Sequence, residues 1–180
     1  MIYHQQTITP DGWVFSEQRL FHPRITVTEE HARMAGRLYW EFLRRYGRPV
    51  LSVHERPTGA IDISLLGLRL LSFDTPRVIS LDENWAPPRV IPGDGGWALH
   101  CPINGGLAVD PRHAQAGCLQ MGLAPDSVSL TVYGYYPNLL RLHTRIYEWT
   151  QSALHERVAR GYLPLLAQRL LQEAEYRCSN

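Results

Sequence analysis

The sequence predicts an α+β domain in which a curved antiparallel sheet of about six to seven strands wraps around a long C-terminal helix, and three patterns carry that expectation. Apolar and polar residues alternate through the middle of the chain, helical three- and four-residue spacing flanks that stretch, and Gly- and Pro-rich turn signals punctuate it. A length of 180 residues suits one domain spanning 1–180, with a core large enough to need neither metal nor disulfide.

Taken in order, the first 27 residues place the turn signal Pro10-Asp11-Gly12 between Ile2-to-Ile8 and Trp13-to-Phe15, which predicts a hairpin or a pair of edge strands. From Thr28 the apolar residues Ala32, Ala35, Leu38, Tyr39, Phe42, Leu43 and Tyr46 recur at helical steps. One amphipathic helix follows, capped by Thr28 and ended by Gly47. Between 48 and 137 the period is two, and turns such as Pro57-Thr58-Gly59, Asp74-Thr75-Pro76, Asp110-Pro111 and Pro125-Asp126 separate strands near 50–56, 61–72, 77–82, 96–103, 115–123 and 127–136. In the last of these Val128, Leu130 and Val132 share one face while Ser129, Thr131 and Tyr133 share the other, so one face of the sheet is expected to be covered. Helical spacing returns from Arg141 to Tyr176, with a kink or break expected near 160–164, where Gly161 and Pro164 interrupt it.

A formal net charge of +1 and no run of like charges argue against nucleic acid or an anionic membrane as partner. All 18 basic residues are arginine, a bias read first as coding preference and only second as selection for anion contacts. Cys101, Cys118 and Cys178 are odd in number and widely spaced, which suggests reduced thiols in a cytoplasm rather than a disulfide framework or zinc knuckle. Residues 1–10 lack the pattern of a signal peptide and no run of eighteen apolar residues exists, so neither export by that route nor a transmembrane segment is expected.

Motifs with sharp catalytic spacing are missing: there is no G-x-x-x-x-G-K-[ST], G-x-S-x-G or H-E-x-x-H, and Gly93-Asp94-Gly95 reads as a turn rather than a dinucleotide fingerprint. No two of the eight histidines have the local spacing of paired metal ligands, and neither metal nor cofactor is expected. Three residues are candidate acids or bases: His100, which should point away from the apolar face of Trp97, Leu99, Cys101 and Ile103, together with His54 and Asp62, which alternate with apolar neighbours. Each also reads as a surface or locally hydrogen-bonded group, and for His100 that is the simpler reading. Tyr133 and Tyr135 offer flat surfaces and hydroxyls to a ligand, although β propensity alone accounts for them. Arg145 could meet a ligand carboxylate, Trp149 is a platform or a core residue, and Trp97 and Asn104 complete the candidate ligand set. Asn104-Gly105-Gly106 most simply bends the sheet.

An early strand, a helix, a meander and a long last helix, together with Ile103-Asn104-Gly105-Gly106-Leu107, Gly117-x-Leu119, Val132-Tyr133-Gly134-Tyr135-Tyr136-Pro137 and the terminal Tyr147, Gln151 and His155, resemble the helix-grip fold of the START, polyketide cyclase and Bet v 1-like superfamily. The resemblance covers most of residues 25–177. It implies a cavity between sheet and terminal helix for a hydrophobic or aromatic small molecule, held as by a carrier or oriented as by a cyclase or isomerase. The competing expectation is a non-enzymatic interaction or structural protein that acts through its surface as a homo-oligomer, such as a homodimer, with the apolar piece Leu163 to Leu171 as one contact.

Overall fold

The computed structural model describes residues 2–81, 95–137 and 144–178, without the side chains of 144–154 and 177–178. Two N-terminal strands, β1 (Ile2–Ile8) and β2 (Val14–Phe21), form a hairpin, and α1 (Glu29–Tyr46) follows. Seven more strands come next: β3 (Leu51–Glu55), β4 (Ile61–Leu65), β5 (Leu68–Phe73), β6 (Arg77–Ser80), β7 (Trp97–Gly105), β8 (Cys118–Ala124) and β9 (Ser127–Tyr135). The chain then enters α2 (Thr144–Cys178). All nine strands belong to one curved antiparallel sheet in the order β1-β2-β9-β8-β7-β5-β4-β3, with β6 also paired to β7. The α+β class with a long C-terminal helix is therefore as expected, with more strands than the pattern suggested.

The extra strands have local causes. The N-terminal hairpin is not a pair of edge strands, because β2 pairs with β9 along most of its length and only β1 lies outside. The single strand expected at 61–72 is two, since Leu66 (φ 50°) and Gly67 (φ 82°) both take the left-handed conformation that a two-residue hairpin requires. The apolar Leu66, 76 % exposed at the turn, disguises that signal in the sequence. Further along, β5 and β6 share β7: Phe73 lies opposite Ile103, and Arg77 lies opposite His100. The stretch at 82–94, which holds Gly93 and Asp94 of the expected Gly93-Asp94-Gly95 turn, and the stretch at 138–143 lie outside the described residues.

Helix α1 begins with a reciprocal cap in which Thr28 Oγ1 accepts from the His31 amide and His31 Nδ1 accepts from the Thr28 amide. Glu29 and Glu30 in the first turn and Arg44 and Arg45 in the last complement the helix dipole. Its buried stripe, Ala32, Ala35, Tyr39, Trp40 and Leu43, packs with Tyr162, Leu163, Leu166 and Leu170 of α2 in one cluster that takes in Leu99, Cys101, Ile103, Leu119, Met121, Val128 and Leu130 of the sheet. Rings interlock edge to face within it, Tyr39 with Trp40 at 4.9 Å and Tyr39 with Tyr162 at 5.0 Å. The break expected near 160–164 does not occur, and α2 runs unbroken through Pro164. Pro164 is exposed, so water reaches the carbonyl that the missing amide leaves without a partner. Among the described residues no helix is long and apolar enough to cross a membrane.

Candidate functional site

Cross-strand partners point to the same side of a sheet, so the register sorts residues between a helix-covered inner face and an outer face. Trp97, Leu99, Cys101 and Ile103 are inner, as are Leu119, Met121, Val128, Leu130 and Val132. Glu17, Thr131, Gln120, His100 and Arg77 form one outer row across five strands.

On the inner side, a cavity of about 40 Å³ lies among Tyr39 of α1, Phe73, Ile103, Val132 and Tyr135 of the sheet, and His155 of α2. The Tyr135 hydroxyl donates to the Ala108 carbonyl at 2.5 Å. Burial pushes the Tyr39 phenol well above its usual range, so it is a hydrogen-bond donor at every physiological pH. His155 keeps part of its residue surface exposed, but protein encloses the imidazole; burial first, and the neighbouring His4 second, pull its pKa down to about 4. It is a neutral imidazole near pH 7. Beside this cavity Ser16 and Gln18 of β2 stand opposite Val132 and Leu130, both nearly inaccessible, with Gln18 Nε2 donating to Ser16 Oγ at 2.8 Å.

The outer side carries a second constellation. His100 Nδ1 lies 3.1 Å from Cys118 Sγ and 3.3 Å from the Tyr133 hydroxyl. Burial raises the Cys118 thiol to about 12, and burial next to Arg77 lowers the His100 pKa, so both groups are neutral at pH 7. A protonated thiol of this kind is inert as a nucleophile, and Cys118 is 3 % exposed. Glu17 and Arg19 make a salt bridge of 2.6 Å on the same face, 1 % and 8 % exposed. Such pairs hold geometry more than they add stability.

The residues singled out in the sequence therefore do not converge. His100 and Tyr133 meet each other but lie away from the inner cavity, because the helices cover the face of Leu99 and Cys101. Tyr133 and Tyr135, offered together as ligand contacts, lie on opposite faces: Gly134 (φ 63°) sits in a register shift, with Val14 opposite Tyr135 and Ser16 opposite Val132. Only Tyr135 lines the cavity. Asp62 binds Arg56 through two hydrogen bonds of 2.8 and 2.6 Å and accepts from Ser72, and the Arg56 guanidinium holds its carboxyl below the ordinary range. That is a structural ion pair. His54 is exposed opposite Asp62 on β3. Asn104 donates to Asp74 at 2.5 Å on the surface, and Trp97 packs half-buried against the core at the start of β7. Arg145 and Trp149 lie on α2, where their side chains fall outside the described residues.

Two site groups had weak sequence signals. His155 stood on the apolar side of the terminal helix, and Cys118 opened a strand whose inner residues are all apolar; neither position shows its partners without tertiary structure. No protein-family model, no curated protein and no solved structure matches this chain.

Proposed function

We propose that the protein binds a small, largely apolar molecule between the sheet and α2, either to carry it or to orient it for an isomerisation or cyclisation. The observation that carries this reading is the composition of the cavity wall, in which the Tyr39 hydroxyl and the neutral His155 imidazole stand among Phe73, Ile103 and Val132. A phenol that stays protonated and a neutral imidazole, each able to donate or accept, would fix one polar atom of a guest whose remainder meets apolar surface. If catalysis occurs, His155 is the group able to take and return a proton within the cavity, and alignment of the bound molecule supplies the rest of the acceleration. The order of elements, with β2 closing on β9 and α2 lying against both, supports the helix-grip resemblance and hence a site in this place.

At about 40 Å³ the cavity exceeds the ~10–15 Å³ that one water requires and falls short of the ~300 Å³ of a drug-sized pocket. The guest is accordingly held there by only a few heavy atoms, such as the end of a longer apolar chain, since a cavity that holds a benzene ring measures ~150 Å³. Native mass spectrometry after gentle purification, with thermal shift over a panel of short and medium-chain fatty acids and alcohols, tests the reading. The expected result is a bound mass or a Tm increase that Val132→Phe, which fills the space, abolishes. Absence of both across the panel would overturn it.

A further inference from the structure

Among the described residues ten large apolar side chains are exposed, and six of them gather at one end of the molecule: Tyr46, Val50, Leu65, Leu66, Leu68 and Leu107. Backbone contacts hold these positions side by side. Leu65 and Leu68 are cross-strand partners at the β4–β5 turn, the Leu66 amide donates to the Val50 carbonyl at 2.8 Å, and the Leu107 amide donates to the Arg69 carbonyl at 3.1 Å. Tyr46 ends α1, and the Gly47 carbonyl after it accepts from the amides of Val50 and Leu51, which brings the helix end to the same hairpin.

Folding does not account for this composition. Leu66 has φ 50°, a left-handed conformation that Asn or Gly adopts with less strain than leucine, and a side chain 76 % exposed returns little packing for that strain. Leu68 beyond the turn is 62 % exposed. A single exposed leucine is ordinary, whereas a cluster at the tip of a hairpin marks a contact surface.

The charges around the turn point to its partner. Arg48 and Arg69 are exposed and form no salt bridge among the described residues. The acids of the adjoining elements are engaged or distant: Glu41 pairs with Arg45, Asp62 pairs with Arg56, and Glu55 lies at the opposite end of β3 from Leu51 and the turn. A two-residue turn is convex and suits a soft surface better than a protein pocket. Leucines at its tip with guanidinium groups behind them match the order of acyl chains beneath phosphates at a bilayer surface. The net charge of +1 over the whole chain hides this collar, which only the fold assembles.

We propose that this end of the molecule docks on the surface of an anionic phospholipid bilayer, with Leu66 and Leu68 entering the headgroup region and Arg48 and Arg69 meeting lipid phosphates. The contact is peripheral and spans nothing. The same hairpin walls the inner cavity through Ile63 and Leu71, each about 10 Å along its strand from the tip, yet the docking stands whether or not that cavity takes a guest.

Co-sedimentation of the full chain with vesicles of phosphatidylcholine alone, and of phosphatidylcholine with one-third phosphatidylglycerol, tests this. The wild type is expected to bind the anionic vesicles, and to bind them less as salt rises. Leu66→Asn suits the left-handed turn, so it should leave Tm unchanged or higher while weakening vesicle binding about tenfold or more. Arg48→Gln combined with Arg69→Gln should remove the preference for anionic over neutral vesicles. A wild type that binds neither vesicle, or binding that Leu66→Asn leaves undiminished, overturns the proposal. So does a dimer in solution that Leu66→Asn dissociates, since the tip would then be an interface between copies.

Discussion

A buried imidazole that stays neutral in the folded chain ties stability to acidity. His155 is depressed from 6.5 to about 4, chiefly by burial. Above pH 6.5 it is neutral in both states and adds no pH dependence. As pH falls from 6.5 toward 4 the unfolded chain takes up a proton that the folded chain does not, so stability present above 6.5 is progressively lost. The loss reaches at most about 3 kcal/mol by pH 4. His100, also lowered by burial, works in the same direction, and replacing His155 alone should remove only its own share. Urea midpoints of wild type and His155→Phe at pH 7 and pH 4.5 check this: the variant should lose less stability between the two. Equal losses would mean that solvent reaches the ring. Single residues were also where the sequence was least informative. Alternation placed His100 correctly away from Leu99 and Cys101, but which of those two faces the helices would cover could not be read from the strand, and so the residue was weighed for a cavity it does not reach.

At the level of elements, one glycine decides what β9 presents to each side. Gly134 has φ 63°, and a Cβ added there would lie 2.3 Å from the Ala116 carbonyl oxygen. Gly134→Ala therefore meets both backbone strain, worth about 1–3 kcal/mol, and a clash with main chain that cannot swing aside. The expected loss exceeds about 2 kcal/mol in urea denaturation, and it should disturb the hydrogen bond from Tyr135 to Ala108 as well as the contact of Tyr133 with His100. Unchanged stability would show that the bulge relaxes without cost. The positions of most elements were legible, because period-two and period-3.6 patterns reflect burial directly: α1 begins and ends where Thr28 and Gly47 indicate, and β9 runs nearly as expected. Two departures have plain physical sources. Leu66 hid a hairpin because turns are usually recognised by polar residues, and Pro164 did not break α2 because it faces water.

Across the whole molecule, one cluster of buried side chains takes residues from β2, both helices and the strands β4, β5, β7, β8 and β9. No surface divides it, so the chain should unfold as a unit. Tryptophan fluorescence and far-UV circular dichroism followed through guanidinium denaturation are expected to give coincident transitions, and a separate early phase in either signal would identify a part that folds independently. The general class was visible from the order of patterned segments, since a helix, a meander and a final long helix leave few ways to bury both faces of each element. The partner of each strand was less visible. That β2 joins β9, more than a hundred residues later, follows from closure of the sheet over the helices and from nothing local.

That join also sets an order of events as the chain leaves the ribosome. The hairpin of β1 and β2 emerges first, yet its inner strand gains a second neighbour only after residues 127–135 have been made. Throughout that interval both edges of the nascent hairpin lack their later neighbours, and two nascent chains translated side by side could pair through them. A bound holdase over this window, or faster elongation through it, would raise the yield of correctly folded protein, and slow translation would favour aggregates seeded by the hairpin.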